Sequence, residues 1–411
     1  MKAAVNYRTW IVLLAVLALF GMMGWLYQLC YGLGATGMNN IVSWGLYITM
    51  FMFFVGLSAG GLIVSSSATV FDIPAYKAVA KPAIILSTVC IMIAGVFIMV
   101  DLGGVFRMYN LLLHSQFRSP LMWDVIVIST YMLVNLVYLY YMTRREPPQA
   151  KLKIVSRVAL PVAILVHSVT AWVFGLQIAR AGWHSALMAP LFVASALDSG
   201  LALLLVALLL LRRFGGYPIA DHLVTSLAGL MVTCCCVDGY FVFSEMLTMY
   251  YPQDPGGQLI FWEMVSGSSA PFFWGEVILG FVLPIGILLF QRNREKASLV
   301  FFSSVLIFMG VLCKRLWLLF TSFLHPNVAG APGVTLGKLG TEAGPLQMWD
   351  IQGHYFPTLV EFTIVIGMIA MGVLIFSVLS RLLLLSPQAA EVGTKAQPAK
   401  SNSKSLLAEK S

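Results

Sequence analysis

A histidine, two aspartates and two arginines fall close together in a stretch rich in apolar and aromatic residues. Asp101, Arg107, His114 and the adjacent Trp123-Asp124 all lie within VDLGGVFRMYNLLLHSQFRSPLMWD (100–124). An imidazole and a carboxylate at one depth can exchange protons with a reducible ring, which an aromatic neighbour can flank. Blander readings compete: Asp124 suits an exposed helix start, and Asp101 can pair with Arg107. A second set is scattered through apolar runs: His167, Asp198, Asp238, Glu276, Arg315 (next to Lys314) and Glu361. An ionisable group at a bilayer centre costs about 2.5–3.5 kcal/mol on insertion scales, so each needs a reason to be there. A proton path is one reason. Local neutralisation is the other, with Arg315 paired to an acid and His167 bonded to a neighbouring hydroxyl.

The elements that position these residues follow from composition. Of 411 residues 59% are hydrophobic and only 10% charged, with mean hydropathy +0.88, far too apolar for a water-facing surface. Apolar runs fall near 9–30, 44–71, 80–105, 120–143, 157–180, 187–211, 218–249, 272–291, 298–320 and 356–385. The expected fold is an all-α integral membrane protein of ten transmembrane helices. Lys2 and Arg8 precede the run from Ile11 to Leu26, but no Ala-x-Ala cleavage pattern follows, so that run reads as a retained first helix. Gly56, Ser58, Ala59, Gly60 and Gly61 lie mid-span, followed by Ser65, Ser66 and Ser67. They predict a close helix–helix approach there.

Charge asymmetry tests the count. With both termini in the cytoplasm, nineteen of the 25 basic residues fall in cytoplasmic segments, leaving only Arg107, Arg118, Arg180, Lys314, Arg315 and Lys338 elsewhere. The location expected on this pattern is a bacterial or archaeal cytoplasmic membrane. The net charge of +8 is then orientation and lipid contact and implies no nucleic acid. The acids run the other way: eleven of 17 lie in the membrane or on the outer side. The outer loop 321–355 is long and rich in Pro, Gly and Thr, as suits a segment that docks a partner or covers a site. The tail 388–411 is polar and reads as disordered.

Cofactor chemistry is narrowed by the same means. The six cysteines form no C-x-x-C pair, which argues against an iron–sulfur cluster or zinc, so no metal site is assigned. Cys234, Cys235 and Cys236 point about 100° apart on a helix and read as packing residues. Of the six histidines only His167 is well inside a span, and one imidazole cannot supply both axial ligands of a haem unless one of the 21 methionines serves as the second. The expectation is no haem and no iron–sulfur cluster in this chain, so any redox work needs a bound quinone passing electrons to a neighbouring subunit.

The stretches YGLGATGMNNIVSWGLYITMFMFFVGLSAGG (31–61) and 100–124 resemble the membrane subunits of the polysulfide reductase (NrfD/PsrC) family. So do APLFVASALDSGLALLL (189–205), FWGEVILGFVLP (273–284) and YFPTLVEF (355–362). The resemblance runs to about residue 385 and fits a ten-helix branch. It implies a membrane domain over 1–387 with two four-helix bundles, about 44–180 and 187–320, plus peripheral helices. It implies menaquinone or ubiquinone bound near the outer face by His114, Trp123 and Asp124, with Asp101 and Arg107 close by. Glu276, Asp198 and His167 fall where relatives carry polar residues associated with proton movement. The implied partners are a ferredoxin-like iron–sulfur subunit and, through it, a molybdopterin, hydrogenase or multihaem cytochrome subunit. The implied activity is that of a quinone-reactive, non-autonomous subunit of a respiratory oxidoreductase. Two other classes fit a ten-helix chain: a secondary transporter, for which broken helices are the sign, and a passive anchor for a peripheral complex.

Overall fold

The computed structural model describes residues 6–71, 73–144, 146–325 and 354–385. Most of the long loop 321–355 and the whole tail 388–411 lie outside them. Ten helices are long and apolar enough to cross a membrane. They are α1 (Tyr7–Tyr31), α2 (Leu46–Val70), α3 (Pro74–Asp101), α4 (Pro120–Thr143) and α5 (Gln149–Gly175). The rest are α6 (Met188–Gly215), α7 (Asp221–Tyr250), α8 (Ala270–Leu288), α9 (Ala297–Leu324) and α10 (Leu359–Leu383). All ten expected spans are present.

Several boundaries shift from those expected. α3 begins at Pro74 and α5 at Gln149, both earlier than hydropathy places them. Lys77, Lys81, Lys151 and Lys153 are good helix formers, so the helices continue through them beyond the apolar stretch that hydropathy registers. α3 ends earlier than expected, at Asp101. Gly103 adopts φ 63°, a left-handed conformation that stops the helix and leaves Asp101 on its last turn.

α2, α3, α4 and α5 close one four-helix bundle, and α6 to α9 close a second. α1 and α10 form a peripheral pair against α3. The bundles meet along α2 and α6, where a Cβ added to Gly60 would lie 2.1 Å from the Gly200 carbonyl carbon. That backbone-on-backbone contact is the close approach the small residues of α2 imply. Gly60→Val has only backbone to push against and is expected to destabilise by about 1–3 kcal/mol. Thermal unfolding in detergent checks this, with Gly286→Ala as control because nothing lies within 4 Å of a Cβ there. Equal midpoints for the two variants would contradict the contact.

Successive helices run in opposite directions, giving the molecule two ends. The basic end carries Arg144, Lys151, Lys153, Arg157, Arg212, Arg213, Arg292, Arg294, Lys296 and Arg381. The loop end carries the starts of α2, α4, α6, α8 and α10 and two short helices, Tyr109–Leu113 and Pro255–Ser266. α8 is not regular: residues Glu276–Val282 form a π-helical segment. Pro284, just beyond it, has no N–H to return to the carbonyl of Gly280, which accounts for the altered ladder. The three cysteines of α7 diverge as expected, with Cys235 buried and Cys236 exposed.

Candidate functional site

The first candidate group sits at the loop end of the first bundle. Asp124 lies one turn inside α4 and is only 6% exposed. It heads a buried stripe of α4 that continues through Ile128, Tyr131, Asn135 and Tyr138, a heptad-like spacing that turns these residues inward. Tyr131 and Asn135 are satisfied inside the bundle: the Tyr131 hydroxyl lies 3.1 Å from the Ser58 and Ser87 hydroxyls, and Ser87 donates to Asn135 Oδ1 at 2.7 Å. Asp124 has a single side-chain partner among the described residues. The Thr170 hydroxyl of α5 reaches its Oδ1 at 2.6 Å.

The neighbours expected around Asp124 are placed differently from one another. Trp123 is half-buried, and its indole N–H donates to the Phe117 carbonyl at 2.7 Å, folding the 114–119 loop onto the start of α4. His114 is exposed at the end of the short helix Tyr109–Leu113, and its ring is not bonded to Asp124. Arg107 is exposed, with its guanidinium against the Gly104 backbone. Asp101 is partly buried, and its Oδ1 has no partner among the described residues. Asp101 and Arg107 form no ion pair among the described residues. The loop end of the first bundle thus offers one buried carboxyl with a single partner and a second with a free buried oxygen.

The second group lies deeper, inside the second bundle. Lys314 of α9 donates to both oxygens of Asp238 of α7 at 2.7 and 2.8 Å. Its ammonium also lies 3.1 Å from Glu276 Oε1 of α8. The other oxygen of Glu276 accepts the Trp317 indole N–H at 2.6 Å. Glu276 opens the π-helical segment, so the altered ladder occurs where the carboxyl meets the lysine. Arg315 turns toward α6, donating to Ser195 at 2.7 Å and lying 4.3 Å over the Phe192 ring. Asp198 is fully buried on α6, and neither carboxylate oxygen has a hydrogen-bond partner among the described residues. His167 Nε2 and two Arg315 nitrogens are likewise unpartnered there. Sequence reasoning selected Asp238, Glu276 and Arg315 but not Lys314, although two adjacent bases in mid-span were a visible signal. Thr170, Ser195 and Trp317 carried none.

Glu361 is elsewhere. It is the third residue of α10 and forms a capping box with Thr358. Its Oε2 also accepts the Gly37 backbone N–H at 2.8 Å, and the Tyr355 hydroxyl donates to Oε1. Burial and the neighbouring Glu361 carboxylate hold the Tyr355 hydroxyl well above its ordinary range, so it keeps the proton it donates. Glu361 therefore ties the start of α10 to the segment between α1 and α2. Glu361→Ala leaves these donors without their acceptor and is expected to cost about 1–3 kcal/mol. An unchanged unfolding midpoint would rule out that anchoring role.

Comparison with known proteins fits this architecture. Residues 34–327 match the family described as polysulphide reductase, NrfD. A candidate membrane subunit of a dimethyl sulfoxide reductase from Halobacterium salinarum is 36% identical over 393 residues, covering 90% of this chain and 89% of that protein. The Hdr-like menaquinol oxidoreductase integral membrane subunit of Archaeoglobus fulgidus is 30% identical, covering 94% and 95%. A selenate reductase subunit of Mesobacillus selenatarsenatis is 25% identical, covering 90% and 92%. With a family match over most of its length and relatives aligned nearly end to end, the chain belongs to the NrfD polysulphide reductase family of integral membrane proteins.

Proposed function

We propose that this chain is the quinone-reactive membrane subunit of a respiratory oxidoreductase complex, with quinone or quinol bound as substrate at the loop end of the first bundle. The observation that carries the reading is Asp124, a buried carboxyl one turn below the surface, held by one hydroxyl and flanked by Trp123. A carboxylate so placed can take a proton from a quinol hydroxyl. Asp101, with a free buried oxygen on the last turn of α3, is the second acceptor, and the exposed imidazole of His114 passes protons on to water. Arg107 supplies positive charge beside them. The quinol's two electrons leave to an iron–sulfur subunit docked on this end, which connects to a molybdopterin, hydrogenase or cytochrome partner. Relatives described as subunits of reductases, one of them a menaquinol oxidoreductase, support both the substrate class and the membership of a complex.

In the same reading the loop end faces outward, both termini are cytoplasmic, and the buried charges give protons a way through the second bundle. His167 stands between the two regions, and Asp198, Asp238, Glu276 and Arg315 carry the path onward. A secondary transporter would also use broken helices and midplane charge, and the π-helical break at Glu276 keeps that reading in view. Removing quinone from the purified complex separates the two. The proposal expects activity to vanish and to return with added quinone. Full activity after complete removal would refute it.

A further inference from the structure

The Thr170 hydroxyl has two acceptors within reach and one hydrogen to give. It lies 2.6 Å from Asp124 Oδ1 and 2.9 Å from the Val166 carbonyl one turn back on its own helix. When Asp124 is ionised, the hydroxyl hydrogen points to Oδ1. When Asp124 is protonated, the carboxyl becomes the donor to Thr170 Oγ1, and the hydroxyl hydrogen turns to the Val166 carbonyl, the usual acceptor for a helical threonine. Both arrangements satisfy the Thr170 hydroxyl and Asp124 Oδ1 with the same heavy-atom positions.

We propose that Thr170 is a positioning residue for quinol oxidation, a rotatable hydroxyl that holds the Asp124 carboxyl in one place through both of its protonation states. The inference rests on the proposed quinone reaction and adds to it a residue and a reason why proton acceptance needs no rearrangement. In the step itself the quinol O–H bond breaks and an O–H bond forms on Asp124. The electron pair of the broken bond stays on the quinol oxygen, and the two electrons of the oxidation go to the iron–sulfur partner. Thr170 gains and loses no proton; it only rotates. Avoided reorganisation of this kind is a recognised source of rate in buried sites.

The surroundings leave this role to Thr170. On the helices packed against α4, the ionisable groups nearest in register are Asp101 at the end of α3 and His167 on α5, three residues before Thr170. Neither bonds to Asp124, and no ion pair to Asp124 occurs among the described residues. Thr170 is itself buried, at 1% exposure, so water does not compete for the carboxyl from that side.

The test compares Thr170→Val, which keeps shape and removes the hydroxyl, with Thr170→Ser, which keeps the hydroxyl, in the purified complex. The first readout is the infrared C=O stretch of the Asp124 carboxyl, identified as the band lost in Asp124→Asn. It is expected to move toward that of an unbonded carboxyl in Thr170→Val and to stay in place in Thr170→Ser. The second is quinol turnover, expected to fall about tenfold in Thr170→Val, the rate equivalent of one hydrogen bond, and to recover in Thr170→Ser. Thr170→Ala serves the same comparison should the valine variant fail to assemble. A band and turnover unchanged in the hydroxyl-free variant would overturn the proposal. If Asp124→Asn itself turns over normally, the quinone reading of Asp124 falls, while the band position still reports whether Thr170 holds the carboxyl.

Discussion

Lys314→Met is expected to remove most of the folded protein from detergent extracts. The substitution keeps most of the side chain's length and deletes the ammonium that contacts Asp238 and Glu276, all three groups being fully buried. Two carboxyl groups are then left facing each other across the site. Breaking one side of a buried ion pair costs about 3–5 kcal/mol, because the remaining charge has neither water nor partner. The same physics makes a second expectation. Replacing the whole set, Lys314→Met with Asp238→Asn and Glu276→Gln, leaves no uncompensated charge and is expected to restore much of the lost stability. Size-exclusion profiles and thermal unfolding of the purified variants check both. A stable single variant would show that Lys314 does not hold the three helices together. The triple variant, once folded, also lets proton movement be measured with the charges gone.

Asp124→Asn is the second large effect. The amide is nearly isosteric and can still accept from Thr170, so assembly is expected to survive. Only proton acceptance is lost, and a positioned general base is worth about 10²–10⁴ in rate. Quinol-dependent turnover of the purified complex is therefore expected to fall by about that factor. His114→Ala is expected to impair the same turnover if, as proposed, that imidazole hands protons to water. Full activity in both variants would end the assignment of the site.

The fold was legible in the sequence to an unusual depth because the bilayer is a strict solvent. Hydropathy located all ten helices, and the glycines of α2 marked the face that meets α6. The errors lay at the helix ends of α3 and α5, where lysines continue a helix that hydropathy treats as loop. The buried charges were legible as a set of residues but not as a constellation. Asp238, Glu276 and Lys314 come from three helices, and nothing in the chain says that one lysine bridges two acids. Glu361 shows the reverse case. Thr358-Leu359-Val360-Glu361 is a readable capping box, a structural role for this acid that a reading for proton movement alone passes over. Thr170 could not have been singled out at all. A threonine in an apolar helix is ordinary, and its meaning appears only when α4 brings Asp124 to within 2.6 Å of it.

The central claim is that quinone reacts at the loop end of the first bundle, and photoaffinity labelling of the intact complex with an azido-quinone tests it most directly. The account predicts crosslinks in the segment from Asp101 to Asp124 and on the adjoining end of α5, with labelling competed away by unmodified quinone. Competable labelling confined to α6–α9, or to another subunit altogether, would contradict it.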